Sequence, residues 1–153
     1  NVRQTIAGYI AQRIFQARQL NQFPLPVLLV IEEAHRFAPN EKGLFSTQVL
    51  QRIAREGRKF GMGICITTQM IRNLDPVIIS QCGTKIILRI NNYRDLEVLA
   101  PHSDLADRSE IQLIPYLPTG TAYATGVGLS TPLVVEIRQR RTESWGALPF
   151  ESS

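Results

Sequence analysis

The sequence is poor in the residues that would make it a disulfide scaffold, a zinc domain or a membrane protein. Its 153 residues contain two cysteines, Cys65 and Cys82. Both stand alone in apolar surroundings (GICIT and IISQCGT), with no CxxC and no Cys/His cluster. That excludes a disulfide framework and a cysteine-based zinc site. Both thiols are expected to be buried small hydrophobes in a reducing cytoplasm. The longest aliphatic run is Val27–Ile31, far short of the roughly 20 residues of a membrane helix. No membrane partner is expected. The opening NVRQTIAGYIAQR is amphipathic rather than uniformly apolar, so no signal peptide is expected. The first residue is not Met, and the chain is expected to be a fragment of something longer. Internal repeats and low-complexity segments are also missing.

What is present describes a packed domain. Hydrophobic residues make up 44% and charged residues 20%, so a core can form and disorder is not expected. A domain of this size buries roughly two-thirds of its unfolded surface. The net charge is +4 and the pI about 9.4, compatible with a nucleic-acid partner without demanding one.

Gln4–Leu20 carries Ile6, Ile10, Ile14 and Ala17 at helical spacing, which predicts an amphipathic helix. Pro24 and Pro26 then force extended backbone. Val27–Ile31 reads as a strand buried on both faces of a parallel sheet. APNEKG (Ala38–Gly43) is a polar loop. Phe45–Phe60 predicts a second helix, with Val49, Leu50, Ile53, Ala54 and Gly57 on one side and Gly61 and Gly63 stopping it. Met62–Thr67 is the next strand. Asp75 and Pro76 cap and begin a short helix to about Cys82. Lys85–Ile90 is a third strand. Asn92–Ala100 and Ser103–Leu113 read as helices, with Ser103 and Asp104 as caps. Gly120–Gly126 and Pro132–Arg138 alternate around GVGLST, a hairpin signal. The expected fold is α/β: a mainly parallel sheet flanked by helices, with a C-terminal antiparallel hairpin at its edge and a basic tail over residues 120–141.

Chemistry concentrates at the strand ends. Val27–Ile31 runs into Glu32 and Glu33, and functional groups gather at the carboxyl ends of parallel strands. An adjacent acidic pair there is either a surface turn or the partner of a Mg²⁺–nucleotide. In the second case one carboxylate holds the metal through its waters. The other polarises the water that attacks the γ-phosphate. The next strand ends in Thr67, Thr68 and Gln69, whose hydroxyls and amide can bond that phosphate or water. RIAREGRK (Arg52–Lys59) is either a solvated basic face or the source of an arginine finger; guanidinium stabilises charge on a transferring phosphoryl. Spacing alone does not choose. No GxxxxGK[ST] occurs in the chain. Without that cradle, these residues alone should not bind ATP tightly.

Three ordered blocks, VLLVIEEAHRFAP, IAREGRKFGMGICITTQ and LDPVIISQCGTKIILRI, resemble the HerA group of HerA/FtsK ATPases. The resemblance runs from about Val27 to Leu99, and more loosely through PLVVEIRQRR. It implies a partial RecA-like P-loop NTPase core, the C-terminal portion of a hexameric motor that moves double-stranded DNA. Such a motor is an ATPase of the helicase or translocase type, working with ATP and Mg²⁺ in DNA-end processing or repair. Some relatives act beside a NurA-type nuclease. By match, Glu33 resembles the Walker B catalytic glutamate. Glu32 takes the adjacent acidic, metal-side position, often Asp in relatives. Gln69 resembles the sensor glutamine, with Thr68 beside it on the nucleotide. Arg58 falls where the family places an arginine finger acting in trans, with Arg55 in reserve. The phosphate-binding half has no counterpart here. Lys42 and Arg72, in two loops, are the expected contacts to DNA backbone.

Two other readings stand beside the motor. One is a non-catalytic assembly or DNA-binding module. The other is a conjugation- or secretion-type hexameric ATPase. His35 and His102 lack metal-like neighbours, and His35 is expected to order the strand tip. Trp145 is expected to anchor the tail. Arg138, Arg140 and Arg141 are candidates for contacts with a neighbouring subunit.

Overall fold

The computed structural model describes residues 2–22, 24–99, 101, 108–139 and 141. The expected caps Ser103 and Asp104, together with His102, Arg140 and Trp145, lie outside the described residues. Two small sheets and the helices packed on them make up the fold.

The first helix, α1, spans Val2–Gln19. Its inner face is not the one the isoleucine spacing predicts. Gly8, Ala11 and Phe15 are buried, whereas Ile6 and Ile10 are 54% and 53% exposed. The reason is a close helix crossing. A Cβ on Gly8 would stand 2.9 Å from the Cα of Ser46 and 3.0 Å from the Phe45 ring. Small residues let the backbones approach; Ile6 and Ile10 turn outward, while Ile14 is half-buried against the core. Arg18 at the far end donates from Nε to the Phe60 carbonyl at 2.7 Å.

Strand β1 (Val27–Ile31) and strand β2 (Met62–Ile66) pair in parallel, with Val30 opposite Cys65. They are joined through α2 (Phe45–Glu56), a 3₁₀ turn at Gly57–Phe60, and Gly61 in the left-handed region at φ 65°. Gly57 allows a second close approach, since a Cβ there would lie 2.6 Å from the Met62 carbonyl. The chain continues through a 3₁₀ turn at Ile71–Asn73 into α3 (Pro76–Gln81), capped by Asp75 as expected. One core forms where α1, α2 and α3 cover one face of the parallel pair. It centres on Phe15, Leu50, Ile53, Leu74 and Ile78, with Leu29, Ile31, Ile64 and Ile66 beneath. Phe15 and Phe60 meet edge to face at 5.6 Å.

The opposite face of that pair is open among the described residues. Leu28 and Val30 are 65% and 59% exposed, and Cys65 beside them is exposed too. This corrects two expectations, a strand buried on both faces and a buried Cys65. Cys82 is half-buried, and burial pushes its thiol up.

The third strand, β3 (Thr84–Leu88), does not join β1 and β2. It pairs antiparallel with β4 (Thr121–Gly126), which pairs antiparallel with β5 (Leu133–Glu136). The α/β class and the terminal hairpin are as expected, but the sheet is not mainly parallel. Helix–strand alternation predicts that β3 is parallel to β2, yet the hairpin takes its edge. A second core lies here: Ile87 and Tyr123 pack with Leu96 and Leu99 of α4 (Tyr93–Leu99), and with Ile114 and Leu117. Helix α5 (Arg108–Leu113) leads into that last pair. Ile71 touches both cores.

Candidate active site at the strand tips

The parallel pairing brings the carboxyl ends of β1 and β2 together, and main-chain bonds hold them past the strands. Thr67 N–H donates to the Ile31 carbonyl at 3.0 Å, and Ala34 N–H donates to the Thr67 carbonyl at 2.9 Å. Between these bonds Glu33 sits in the left-handed region, φ 49° and ψ 48°. A non-glycine residue there costs roughly 1 kcal/mol or more. Such strain persists where surrounding contacts over-determine it. Here the turn starts a 3₁₀ segment, Ala34–Arg36, on the fully buried Ala34.

The turn gathers three side chains. His35 Nδ1 lies 3.2 Å from Glu33 Oε2 and 2.9 Å from Thr68 Oγ1. Thr68 Oγ1 also accepts the Met70 N–H at 3.1 Å. The His35 side chain is 14% exposed and that of Glu33 40%. Glu32, Thr67 and Gln69 are exposed around this cluster. Glu32, Glu33, Thr68 and Gln69 are therefore all brought to one edge of the parallel pair. Nothing in the spacing announces the left-handed Glu33 or the Thr68 partner of His35. A Glu two residues before a His is the only trace of either.

The donor set suits a hydrated Mg²⁺ that arrives with phosphate oxygens. Such an ion takes one or two carboxylates and keeps several waters. Two adjacent carboxylates, one exposed, match that demand. A closed protein cage is not present: among the described residues no three His, Cys, Asp or Glu side chains cluster.

Arg58 is elsewhere. It lies exposed in the 3₁₀ turn that precedes β2. The five-residue strand separates it from the tip by roughly 15 Å at about 3.3 Å per residue. An arginine side chain does not span that within one copy. Arg55 is exposed in the last turn of α2. Arg52 is committed to structure, with Nε 3.3 Å from Glu56 and its guanidinium 5.5 Å above the Phe15 ring. Lys42 is exposed in the loop between β1 and α2. Arg72 is held back: its Nε stands 3.9 Å from Asp95 Oδ1, which also receives the Arg72 N–H at 3.4 Å. Arg138 and Arg141 are exposed. No described helix is long and apolar enough to cross a membrane.

No protein-family model matches the chain. Curated relatives do. The chain is 39% identical over 112 residues to the DNA double-strand break repair helicase HerA of Pyrococcus furiosus, covering 73% of this chain and 20% of that protein. It is 35% identical over 144 residues to a probable helicase of Methanocaldococcus jannaschii, covering 88% of this chain and 28% of that protein. Among solved structures, the genome-packaging NTPase B204 of Sulfolobus turreted icosahedral virus 2 superposes with a TM-score of 0.69 at 15% identity. That match covers 84% of this chain and 64% of B204. The packaging NTPase is similar in fold, and the helicases are similar in sequence. In sequence the chain is similar to HerA-type helicases, and it spans between 20% and 28% of the length of the curated relatives it matches.

Proposed function

We propose that the chain is the carboxylate-bearing portion of an ATP-driven motor that moves double-stranded DNA during DNA-end processing or repair. The observation that carries this reading is the juxtaposition of Glu33 with Thr68 and Gln69 across two parallel strand tips. The sequence similarity to HerA helicases supports the same reading. A P-loop NTPase works by positioning and by electrostatic stabilisation, and these residues divide that work. Glu33 accepts a hydrogen bond from the attacking water and polarises it. Gln69 and Thr68 orient the water and the γ-phosphate. Glu32 holds Mg²⁺ through its waters, and the ion neutralises phosphate charge. Lys42 and Arg72 contact the DNA backbone. The phosphate-binding loop is contributed by residues outside this chain. The motor works as a homo-oligomeric ring, a hexamer, in the cytoplasm, beside a NurA-type nuclease.

Arg58 acts in trans, because its turn lies at the wrong end of β2 for its own Glu33. Arg55 is the reserve. The assembled motor with Arg58→Ala should bind ATP and hydrolyse it poorly. Mixing Arg58→Ala subunits with Glu33→Gln subunits should recover part of the activity, since some interfaces then hold both intact residues. Normal turnover by Arg58→Ala, or no recovery on mixing, would refute the trans assignment.

The assembly-module reading draws on one feature, the lack of GxxxxGK[ST] in these residues. Measurable ATP hydrolysis by the 153-residue chain alone would sink it.

A further inference from the structure

We propose that His35 is a positioning residue for Glu33, which it ties to the tip of β2 through Thr68. The proposal rests on the reading of Glu33 as the group that polarises water. Nδ1 of His35 has two oxygens within bonding distance, the Glu33 carboxylate at 3.2 Å and the Thr68 hydroxyl at 2.9 Å. An ionised carboxylate has no hydrogen to give. The contact with Glu33 is therefore attractive only if Nδ1 carries the proton, and that one N–H serves both oxygens. Thr68 Oγ1 already accepts the Met70 N–H. It has one more lone pair for the imidazole, and its own proton stays free for an acceptor at the strand tip.

The ring is the fixed member of the three. Its side chain is 14% exposed, and the residue before it is buried and bonded to the Thr67 carbonyl. The Arg36 N–H bonds the Glu33 carbonyl at 2.8 Å, closing the turn around it. Glu33 is the loose member, with a longer side chain that is 40% exposed. Among its described polar side-chain contacts, His35 is the one that can hold the carboxylate. With Oε2 on the imidazole, Oε1 is left for water. Movement of Thr68 toward a ligand would leave the whole hydrogen to Glu33. The two strand tips are thus linked by a hydrogen bond as well as by the sheet.

The first test uses the chain as it stands. Long-range ¹H–¹⁵N spectra report which imidazole nitrogen is protonated, and a His102→Gln variant assigns the signals. His35 should carry a hydrogen on Nδ1. A ring protonated only on Nε2 overturns the proposal. The second test is kinetic, in the assembled motor. His35→Ala should lower kcat roughly ten- to a hundredfold, as misplacement of a reacting group does, with KM for ATP little changed. His35→Asn, whose side-chain N–H can replace Nδ1–H, should recover most of the loss. Unchanged kcat in His35→Ala overturns the proposal, and so does failure of Asn to rescue a variant that folds normally. Glu33→Gln separates this from the parent reading. If Glu33→Gln turns over normally, the functional reading fails. If it is dead while His35→Ala is fully active, only the role of His35 fails.

Discussion

Gln51 and Asp75 meet across 3.0 Å, Nε2 to Oδ2, and so tie the middle of α2 to the start of α3. The other oxygen of Asp75 accepts the Ile78 N–H at 3.1 Å. One buried carboxylate, 7% exposed, therefore serves as helix cap and as inter-helix link. Removing it in Asp75→Ala should lower stability by about 2 kcal/mol, roughly 1 for the cap and roughly 1 for the stranded Gln51 amide. Urea unfolding should show a lower midpoint at an unchanged slope. A midpoint equal to that of the unsubstituted chain would refute the link.

The crossing of α1 on α2 makes a contrast. Gly8→Val places a side chain 2.9 Å from the Ser46 Cα and should destabilise by about 1–3 kcal/mol through overpacking. Ile10→Ala removes a larger side chain that is 53% exposed and should stay within about 0.5 kcal/mol. Thermal melts of the two variants decide the matter. The reverse ranking would mean that the helix presents its isoleucines inward.

The two cysteines should react at different rates. Cys65 is exposed and Cys82 half-buried. Desolvation raises the Cys82 thiol above its ordinary value, and Lys85 offsets only part of that. A thiol reagent at neutral pH should label Cys65 first. The sign of the linkage follows from the raised value: the fold prefers the neutral thiol. The contribution of Cys82 is complete below the ordinary thiol range and is lost as pH rises through the folded value. Unfolding midpoints of the unsubstituted chain should fall in that window relative to a Cys82→Ala variant. Equal labelling rates would contradict the burial difference.

Under the proposed function, the two loop cations should differ in DNA binding by the assembled motor. Each phosphate contact contributes about one unit to the salt slope. Lys42 is exposed, whereas Arg72 faces Asp95 at 3.9 Å. Lys42→Ala should reduce the slope by about one unit and Arg72→Ala by less. Titrations at several salt concentrations read both. Slopes unchanged in both variants would remove these loops from the interface.

Much of the local structure is legible in the residues. Asp75–Pro76 caps its helix as read. Gly61 ends the helical stretch after α2, and GVGLST turns a hairpin between β4 and β5. The acidic pair falls at a strand end, beside Thr68 and Gln69 just past the end of the neighbouring strand. Each of these depends on a few contiguous residues: a fixed proline φ, a left-handed glycine, an apolar run with a polar stop.

The misreadings share a different cause. The inner face of α1 depends on how closely Gly8 lets α2 approach, not on where isoleucines recur. The partner of β3 depends on a hairpin more than 30 residues later in the chain. Exposure of Cys65 depends on which face the helices cover. Arg52, read as one of a basic row, is held by Glu56 and the Phe15 ring.

By itself, the sequence determined the element types, their order and the candidate site residues, because propensities, caps and strand-end polarity act over short spans. Only the tertiary structure decided how those residues stand to one another. It turned Glu33 left-handed onto His35, set Thr68 against the same imidazole, and put Arg58 at the far end of β2. Those relations come from strand register and close helix packing, long-range contacts that no local pattern encodes.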